Sequence, residues 1–197
     1  MCLAFLALPR AFLLYKRGIR VLVVDRQRTP RQILVDLLAM VCLLLWSYEL
    51  VACAWSVKFH PVPARLAVAL FDSVPLKVAG GFLMTAGVVI YGLGTRGLGE
   101  SWRLGIDRKK AGPLMQDGIF ARTRNPIYLS FDLLLTGTFF VHGRLHLLLL
   151  ALVVGIVMHL QILREERFLN ERYGDSFGSY CASVGRYLTW TRKHQKV

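Results

Sequence analysis

The sequence predicts an all-α, polytopic integral membrane protein with four to five transmembrane helices, a C-terminal helical hairpin and a cytoplasmic tail. Of the 197 residues, 55% are hydrophobic and 19% are charged, whereas soluble domains average roughly 45–50% apolar and 25% charged residues. Long apolar stretches recur along the chain, and basic residues cluster at their boundaries. This composition argues against intrinsic disorder, a coiled coil and a secreted disulfide scaffold.

Four stretches are long or apolar enough to cross a bilayer. The clearest has 25 residues and would extend about 37 Å as a helix, enough for a tilted crossing. The last two are separated by only three residues, which predicts a helical hairpin. The four stretches are residues 33–57, 74–98, 126–141 and 145–163.

The first 15 residues are also apolar, but Pro9 and Arg10 interrupt them. They fit a short span, an interfacial helix or the apolar part of a signal peptide. A signal peptide is disfavoured because no basic segment precedes them and no small-residue cleavage site follows.

The basic residues predict the orientation of the chain. Lys and Arg number 25 against 12 Asp and Glu, a formal net charge of +13. They concentrate before residue 33, between residues 96 and 124, and after residue 163. The positive-inside rule therefore places the 99–124 loop and the C-terminal tail in the cytoplasm, at a bacterial inner membrane or the endoplasmic reticulum. No nucleic-acid partner is expected, because no nucleic-acid-reading motif accompanies the charge.

Residues 92–97 match the pattern GxGxxG, but they end a long apolar segment rather than follow a strand. Gly80, Gly87 and Gly94 recur every seven residues. Small residues on one helix face allow close helix packing in lipid. The glycines therefore predict a helix contact and not a dinucleotide site.

Neither the histidines nor the cysteines predict a metal site. His142 and His146 are four residues apart, but Gly143 interrupts the turn and no third ligand is near in sequence. These histidines are expected in a non-cytoplasmic loop. The four cysteines lack CxxC spacing and are expected to be packing residues.

Residues 99–188 carry the features that suggest chemistry. Asn125 and Pro126 suit a helix start, with Asn as the N-cap and Pro at the first helical position. Pairing the last two apolar helices would bring polar residues together at the cytoplasmic surface. Glu165 and Glu166 also fit ordinary interfacial charges paired with neighbouring arginines. The residues expected to gather are Arg124, Asn125, Tyr128, Asp132, His159, Glu165 and Glu166.

The order of motifs resembles the isoprenylcysteine carboxyl methyltransferase family, which belongs to a wider group with the phospholipid N-methyltransferases. The motifs are G-I-F, R-N-P-I-Y, a hydrophobic hairpin, E-E-R-F-L-N-E-R-Y-G-D-S-F-G-S-Y and a final G-R. The resemblance implies a membrane enzyme that uses S-adenosylmethionine and takes a lipophilic acceptor from the bilayer. We expect residues 1–98 to form N-terminal spans and residues 99–197 the catalytic core, with no expectation of the oligomeric state.

The resemblance also implies residue roles. The backbone of Gly118, Ile119 and Phe120 would contact the cofactor, and Glu165 and Glu166 would hold its amine or ribose. Arg186 would close the pocket or meet a substrate carboxylate, and Arg124 and Glu166 join it as the expected catalytic residues. The family commonly has His where this chain has Asn125, which cannot carry a proton charge. The residues expected to hold the amino-acid end of the cofactor are Arg124, Asn125, Pro126 and Tyr128.

The favoured acceptor is the carboxylate of an isoprenylcysteine-type substrate, methylated by in-line displacement. A carboxylate is already ionised at neutral pH, so it needs an orienting Arg and no general base. The alternative, a phospholipid amine, must first lose a proton. The candidate bases are Glu165, Glu166, Asp132 and His159.

Two less favoured functions remain open at this point. An NADPH-dependent sterol-type reductase would need a 2′-phosphate site, for which residues 108–110 offer Arg-Lys-Lys. A non-enzymatic membrane scaffold would use Asp36 and Glu49, in the first clear span, to line a polar path.

Overall fold

The computed structural model describes residue 16 and residues 29–55, 62–99 and 113–189. Those residues form five α-helices and one short 3-10 helix, with no β-strand among them. The all-α prediction is therefore confirmed. The helices are α1 (Pro30–Ala54), α2 (Val74–Leu98), α3 (Pro126–His142), α4 (Leu145–Tyr173) and α5 (Asp175–Ser183), and the 3-10 helix is Gly118–Ala121.

The helix starts follow local sequence signals. The chain before α1 ends in Thr29, which forms a capping box with Gln32: the Thr29 backbone N–H donates to Gln32 Oε1 at 2.9 Å, and Gln32 N–H donates to Thr29 Oγ1 at 3.3 Å. Proline occupies one of the first two positions of α1, α2 and α3, where its missing N–H costs nothing. The cap explains why α1 begins three residues before the predicted apolar stretch.

Three of the helices, α1, α2 and α4, are long and apolar enough to cross a membrane. Helix α3 has 17 residues, a length of about 26 Å. It corresponds to the predicted stretch 126–141, between α2 and α4. The chain is therefore an integral membrane protein. The proposed fifth segment, residues 1–15, and the basic run at 108–110 lie outside the described residues.

The glycine repeat packs α2 against α3. A Cβ added at Gly80 would lie 2.6 Å from the Gly137 carbonyl oxygen, and one at Gly87 would lie 2.9 Å from the Ser130 carbonyl oxygen. Gly94 lies against the first residue of α3. Only glycine allows backbones to approach this closely. The predicted helix contact is confirmed, and the GxGxxG segment belongs to helix α2.

The hairpin turn between α3 and α4 depends on Gly143. This residue has φ +61°, and a Cβ there would overlap the Phe71 carbonyl, so a larger side chain would be strained. The Gly143 carbonyl accepts a hydrogen bond of 2.7 Å from Leu70 N–H. The turn is thus tied to the segment that precedes α2. We call this end of the bundle the Gly143 end and the opposite end the Glu166 end.

The acidic residues of α1 pair at opposite ends of the bundle. Asp36 Oδ1 lies 3.7 Å from Arg164 Nη1 at the Glu166 end. Glu49 Oε2 lies 3.6 Å from His146 Nε2 at the Gly143 end. Thirteen residues of helix separate them by about 20 Å, so they do not form one polar path. The expectation of loop histidines is wrong: His142 is the last residue of α3, and His146 is buried in the first turn of α4, where it faces Glu49.

Candidate active site

Two distant segments meet at the Glu166 end. Arg124 N–H donates to the Gly185 carbonyl at 3.1 Å, and Thr189 N–H donates to the Arg122 carbonyl at 3.0 Å. These bonds tie the tail after α5 to the loop before α3, across the end of α4. Arg124, Asn125 and Arg186 are thereby brought beside Glu166.

Glu166 is the centre of this arrangement. Arg186 donates from Nε at 3.0 Å and from Nη2 at 2.7 Å to Glu166 Oε2. Arg124 Nη2 lies 3.2 Å from Oε1, and Asn125 Nδ2 donates to the same oxygen at 3.4 Å. Charge-assisted hydrogen bonds of this kind offset the cost of burying a carboxylate. The bond to Glu166 raises the pKa of Arg186 further, so its guanidinium stays charged.

Asn125 occupies the predicted N-cap position of α3, but its side chain makes no capping bond. Its Nδ2 donates instead to the Arg186 carbonyl at 3.1 Å as well as to Glu166. The predicted N-cap position of Asn125 is therefore confirmed, but its side chain is oriented towards Glu166 and the Arg186 carbonyl and not towards the N–H groups of α3. The position supplies N–H donors, which an imidazole also has, so Asn can stand where the resemblance expects His.

Glu165 has a different partner from Glu166. Tyr128 OH donates to Glu165 Oε2 at 3.0 Å, which joins α4 to the first turn of α3. Consecutive helix residues point about 100° apart. One acid therefore faces α3 while the next faces the loop and tail.

Helix α5 contacts the residues beside Glu166 through two aromatic side chains. The Arg124 guanidinium carbon lies 6.0 Å from the centre of the Phe177 ring, within the range of a cation–π contact. Tyr180 OH donates to the Phe120 carbonyl at 2.7 Å. Burial raises the pKa of Tyr180, so it remains a donor.

The segment predicted to contact the cofactor, Gly118, Ile119 and Phe120, forms the start of the 3-10 helix. Gly118 is exposed with φ +62°. Phe120 is buried and lies against Gly97 of α2, and its carbonyl oxygen accepts the hydrogen bond from Tyr180 OH. Pro126 is also buried, against Gly94. Within the described residues, Phe120 and Pro126 therefore have packing contacts that explain their positions without a cofactor.

The two remaining residues of the predicted cluster lie beside it. His159 Nδ1 is 2.8 Å from Tyr187 OH, and the two rings stack with centroids 6.1 Å apart. Asp132 and His159 line one groove between α3 and α4. Sequence reasoning missed Tyr187, although it directly follows Arg186 in the final G-R-Y.

The family model for phospholipid methyltransferases matches residues 76–176, just over half of the chain. No curated protein matches the chain. The matched range runs from α2 to the start of α5 and contains Arg124, Asn125, Glu165 and Glu166, whereas Arg186 and Tyr187 follow it. The chain therefore belongs to the phospholipid methyltransferase family, within the wider group that includes the isoprenylcysteine carboxyl methyltransferases, and is a membrane methyltransferase.

Proposed function

We propose that the protein transfers a methyl group from S-adenosylmethionine to a lipophilic acceptor at the Glu166 end. The observation that carries this proposal is the convergence of Arg124, Asn125 and Arg186 on Glu166. We take residues 99–197 as the catalytic core and residues 1–98 as supporting spans. The distribution of basic residues supports a site that faces the cytoplasm.

The residues present fit the amino-acid end of S-adenosylmethionine. Glu165 and Glu166 provide carboxylates for its amine or ribose hydroxyls. Arg124 Nε is buried and has no hydrogen-bond partner among the described residues. An orphaned buried donor is costly, and a ligand carboxylate would satisfy it. The backbone near Gly118 and the Tyr128 hydroxyl complete the proposed set.

When bound, S-adenosylmethionine supplies a methyl group on a positively charged sulfur, which is already reactive. The chain must hold the acceptor in line with that methyl group and exclude water. We expect Glu166, which two guanidinium groups hold in place, to help position the acceptor. We expect the tail segment from Gly185 to Thr189, which lies beside Glu166, to help exclude water.

An amine head group of a membrane phospholipid is the acceptor that the geometry favours. The sequence favours a carboxylate oriented by Arg186, but Nε and Nη2 of Arg186 both bind Glu166. Arg124 binds the same carboxylate. Glu166 therefore neutralises one of the two guanidinium charges and occupies two of the Arg186 donors that would otherwise orient an acidic acceptor. The family match to phospholipid methyltransferases supports the same choice.

A carboxylate acceptor is the second candidate, since two guanidinium groups at one place could exchange Glu166 for a substrate carboxylate. The reductase and scaffold alternatives have no support in the family match.

Methyl transfer from radiolabelled S-adenosylmethionine tests the proposal. Purified protein in lipid nanodiscs would be offered phosphatidylethanolamine and, separately, S-farnesylcysteine. Label that survives base treatment of the lipid product is the expected result and indicates N-methylation. Label released by base as methanol would indicate a methyl ester and support the second candidate. Absence of S-adenosylmethionine binding in equilibrium dialysis would contradict both.

A further inference from the structure

A groove of about 430 Å³ lies between α3 and α4. Its outer wall carries exposed leucine and isoleucine side chains of α4, so it opens towards lipid. Asp132 and His159 lie towards its Glu166 end, because α3 runs away from that end and α4 runs towards it. The groove therefore combines an apolar channel with a polar head. Its lining residues are Asp132, Thr136, Ala151, Leu152, Gly155, Ile156, His159 and Leu160.

The Asp132 carboxylate lies over Gly155. A Cβ added at Gly155 would be 3.7 Å from Asp132 Oδ1, so the glycine leaves room beside the acid. Within the described ranges, this carboxylate makes no hydrogen bond or ion pair. An ionisable group at membrane depth is expensive unless it is paired. A cationic group in the groove would provide the missing partner.

His159 links the groove to the Glu166 cluster. Its Nδ1 is held by Tyr187 OH at 2.8 Å, and Tyr187 follows Arg186, which binds Glu166. Burial raises the pKa of Tyr187, so the phenol keeps its proton. In the tautomer whose Nδ1–H donates to the Tyr187 oxygen, Nε2 carries the lone pair and is the nitrogen that can accept a proton from a ligand.

We propose that this groove binds the acyl chain and amine head group of a phospholipid, with Asp132 holding the ammonium and His159 taking its proton. The inference rests on the proposed function and names the residues that select its acceptor. His159 Nε2 removes one proton from the ammonium and leaves a neutral amine. The nitrogen lone pair then forms the N–C bond while the C–S bond breaks and sulfur keeps the bonding pair. The products are S-adenosylhomocysteine and a methylammonium lipid.

Asp132 has a second effect on this step. The nitrogen becomes positively charged as the N–C bond forms, and the adjacent carboxylate stabilises that charge. A carboxylate acceptor would instead be repelled by Asp132. The groove therefore distinguishes the two acceptor chemistries by charge.

Three variants in nanodiscs test the groove. Asp132→Asn keeps the shape of the side chain but removes its charge, and His159→Gln removes the base. Gly155→Leu fills the groove, and Gly81→Leu is its control because a Cβ at Gly81 has nothing within 4 Å. Each variant is assayed for S-adenosylmethionine binding and for the kcat and KM of phosphatidylethanolamine methylation.

Asp132→Asn is expected to raise the KM for phosphatidylethanolamine about tenfold, the loss of one charge-assisted hydrogen bond. His159→Gln is expected to lower kcat, and Gly155→Leu to raise KM, with S-adenosylmethionine binding retained in all three and Gly81→Leu unchanged. Retained binding shows that each variant is folded.

Other results would separate the two proposals. Wild-type kinetics in both Asp132→Asn and His159→Gln would overturn the groove assignment while the proposed function stands. Wild-type protein that binds S-adenosylmethionine but methylates only S-farnesylcysteine, or neither acceptor, would also overturn it. Wild-type protein that does not bind S-adenosylmethionine would contradict the proposed function itself.

Discussion

The two ends of the helix bundle each contain an acidic side chain that is largely shielded from solvent. The two acids differ in how exposed their partners are. At the Gly143 end, Glu49 faces His146, and these side chains are only 3% and 5% exposed. At the Glu166 end, Glu166 is 12% exposed but its partner Arg186 is 36% exposed. The first pair is enclosed by helices, whereas the second is reached from solvent through the tail. The Glu166 end is therefore the better candidate for ligand binding, because one partner of its acid is open to solvent.

The ends also differ in how their partners are supplied. Glu49 and His146 belong to two packed helices. Glu166 is bound by residues from the loop before α3 and from the tail after α5. Four experiments test this difference between the two ends.

The largest effect on activity is expected from Glu166→Gln. It leaves two guanidinium groups without their carboxylate, one of which, Arg124, is only 11% exposed. We expect methyl transfer to fall at least about a hundredfold, with weaker S-adenosylmethionine binding in equilibrium dialysis. Glu171→Gln, an exposed residue on the same helix, is the matched control. Normal turnover in Glu166→Gln would contradict the site assignment.

Gly80→Val is expected to give the largest loss of stability. Its Cβ would lie 2.6 Å from the Gly137 carbonyl oxygen, so α2 and α3 must separate, at a cost of about 1–3 kcal/mol. Thermal unfolding in detergent would measure the loss. Gly81→Val adds the same side chain where no atom lies within 4 Å and should unfold like the wild type. Equal unfolding temperatures in the two variants would show that the glycine contact is unimportant.

Asn125 tests whether the Glu166 end needs a donor or an amide. Asn125→Ala removes the bonds to Glu166 and to the Arg186 carbonyl, and we expect methyl transfer to fall about tenfold. Asn125→His keeps an N–H donor and should retain most activity. The same methyl-transfer assay measures both variants. Equal losses in the two would show that a donor alone is insufficient.

The smallest effect on activity is expected from Glu49→Gln. It removes the charge that faces His146 and should lower the free energy of unfolding by about 1–3 kcal/mol. The kcat per folded molecule should not change, because the pair lies at the Gly143 end. Thermal unfolding and methyl transfer, measured on the same preparation, check both statements. A lower kcat would show that the pair at the Gly143 end affects the site at the Glu166 end.

Much of the fold is readable from local sequence. Apolar stretches of the right length indicate the helices because lipid offers the backbone no hydrogen-bond partners. Proline at the starts of α1 and α3 and the seven-residue glycine spacing in α2 are also local signals. Within the described residues the helix starts agree with these signals to within three positions, whereas α4 continues past the predicted apolar stretch to Tyr173.

The candidate site is only partly readable in this way. The motif order indicates that Arg124, Glu165, Glu166 and Arg186 belong together, and helix spacing shows that the two acids point in different directions. It does not show which acid faces α3, because that depends on how α4 rotates against its neighbours. Nor does it show that the Asn125 side chain binds Glu166 and the Arg186 carbonyl instead of making a capping bond to α3.

The all-α class, the apolar helices, the glycine contact and the motif residues can be predicted from sequence, since each depends on neighbours in the chain or on helical periodicity. Three contacts follow only from tertiary packing: Arg186 binds Glu166, Tyr187 contacts His159, and Asp132 faces a groove open to lipid. These contacts join residues 20 or more positions apart. Their geometry follows from the packing of α3, α4 and the tail, which no local pattern specifies.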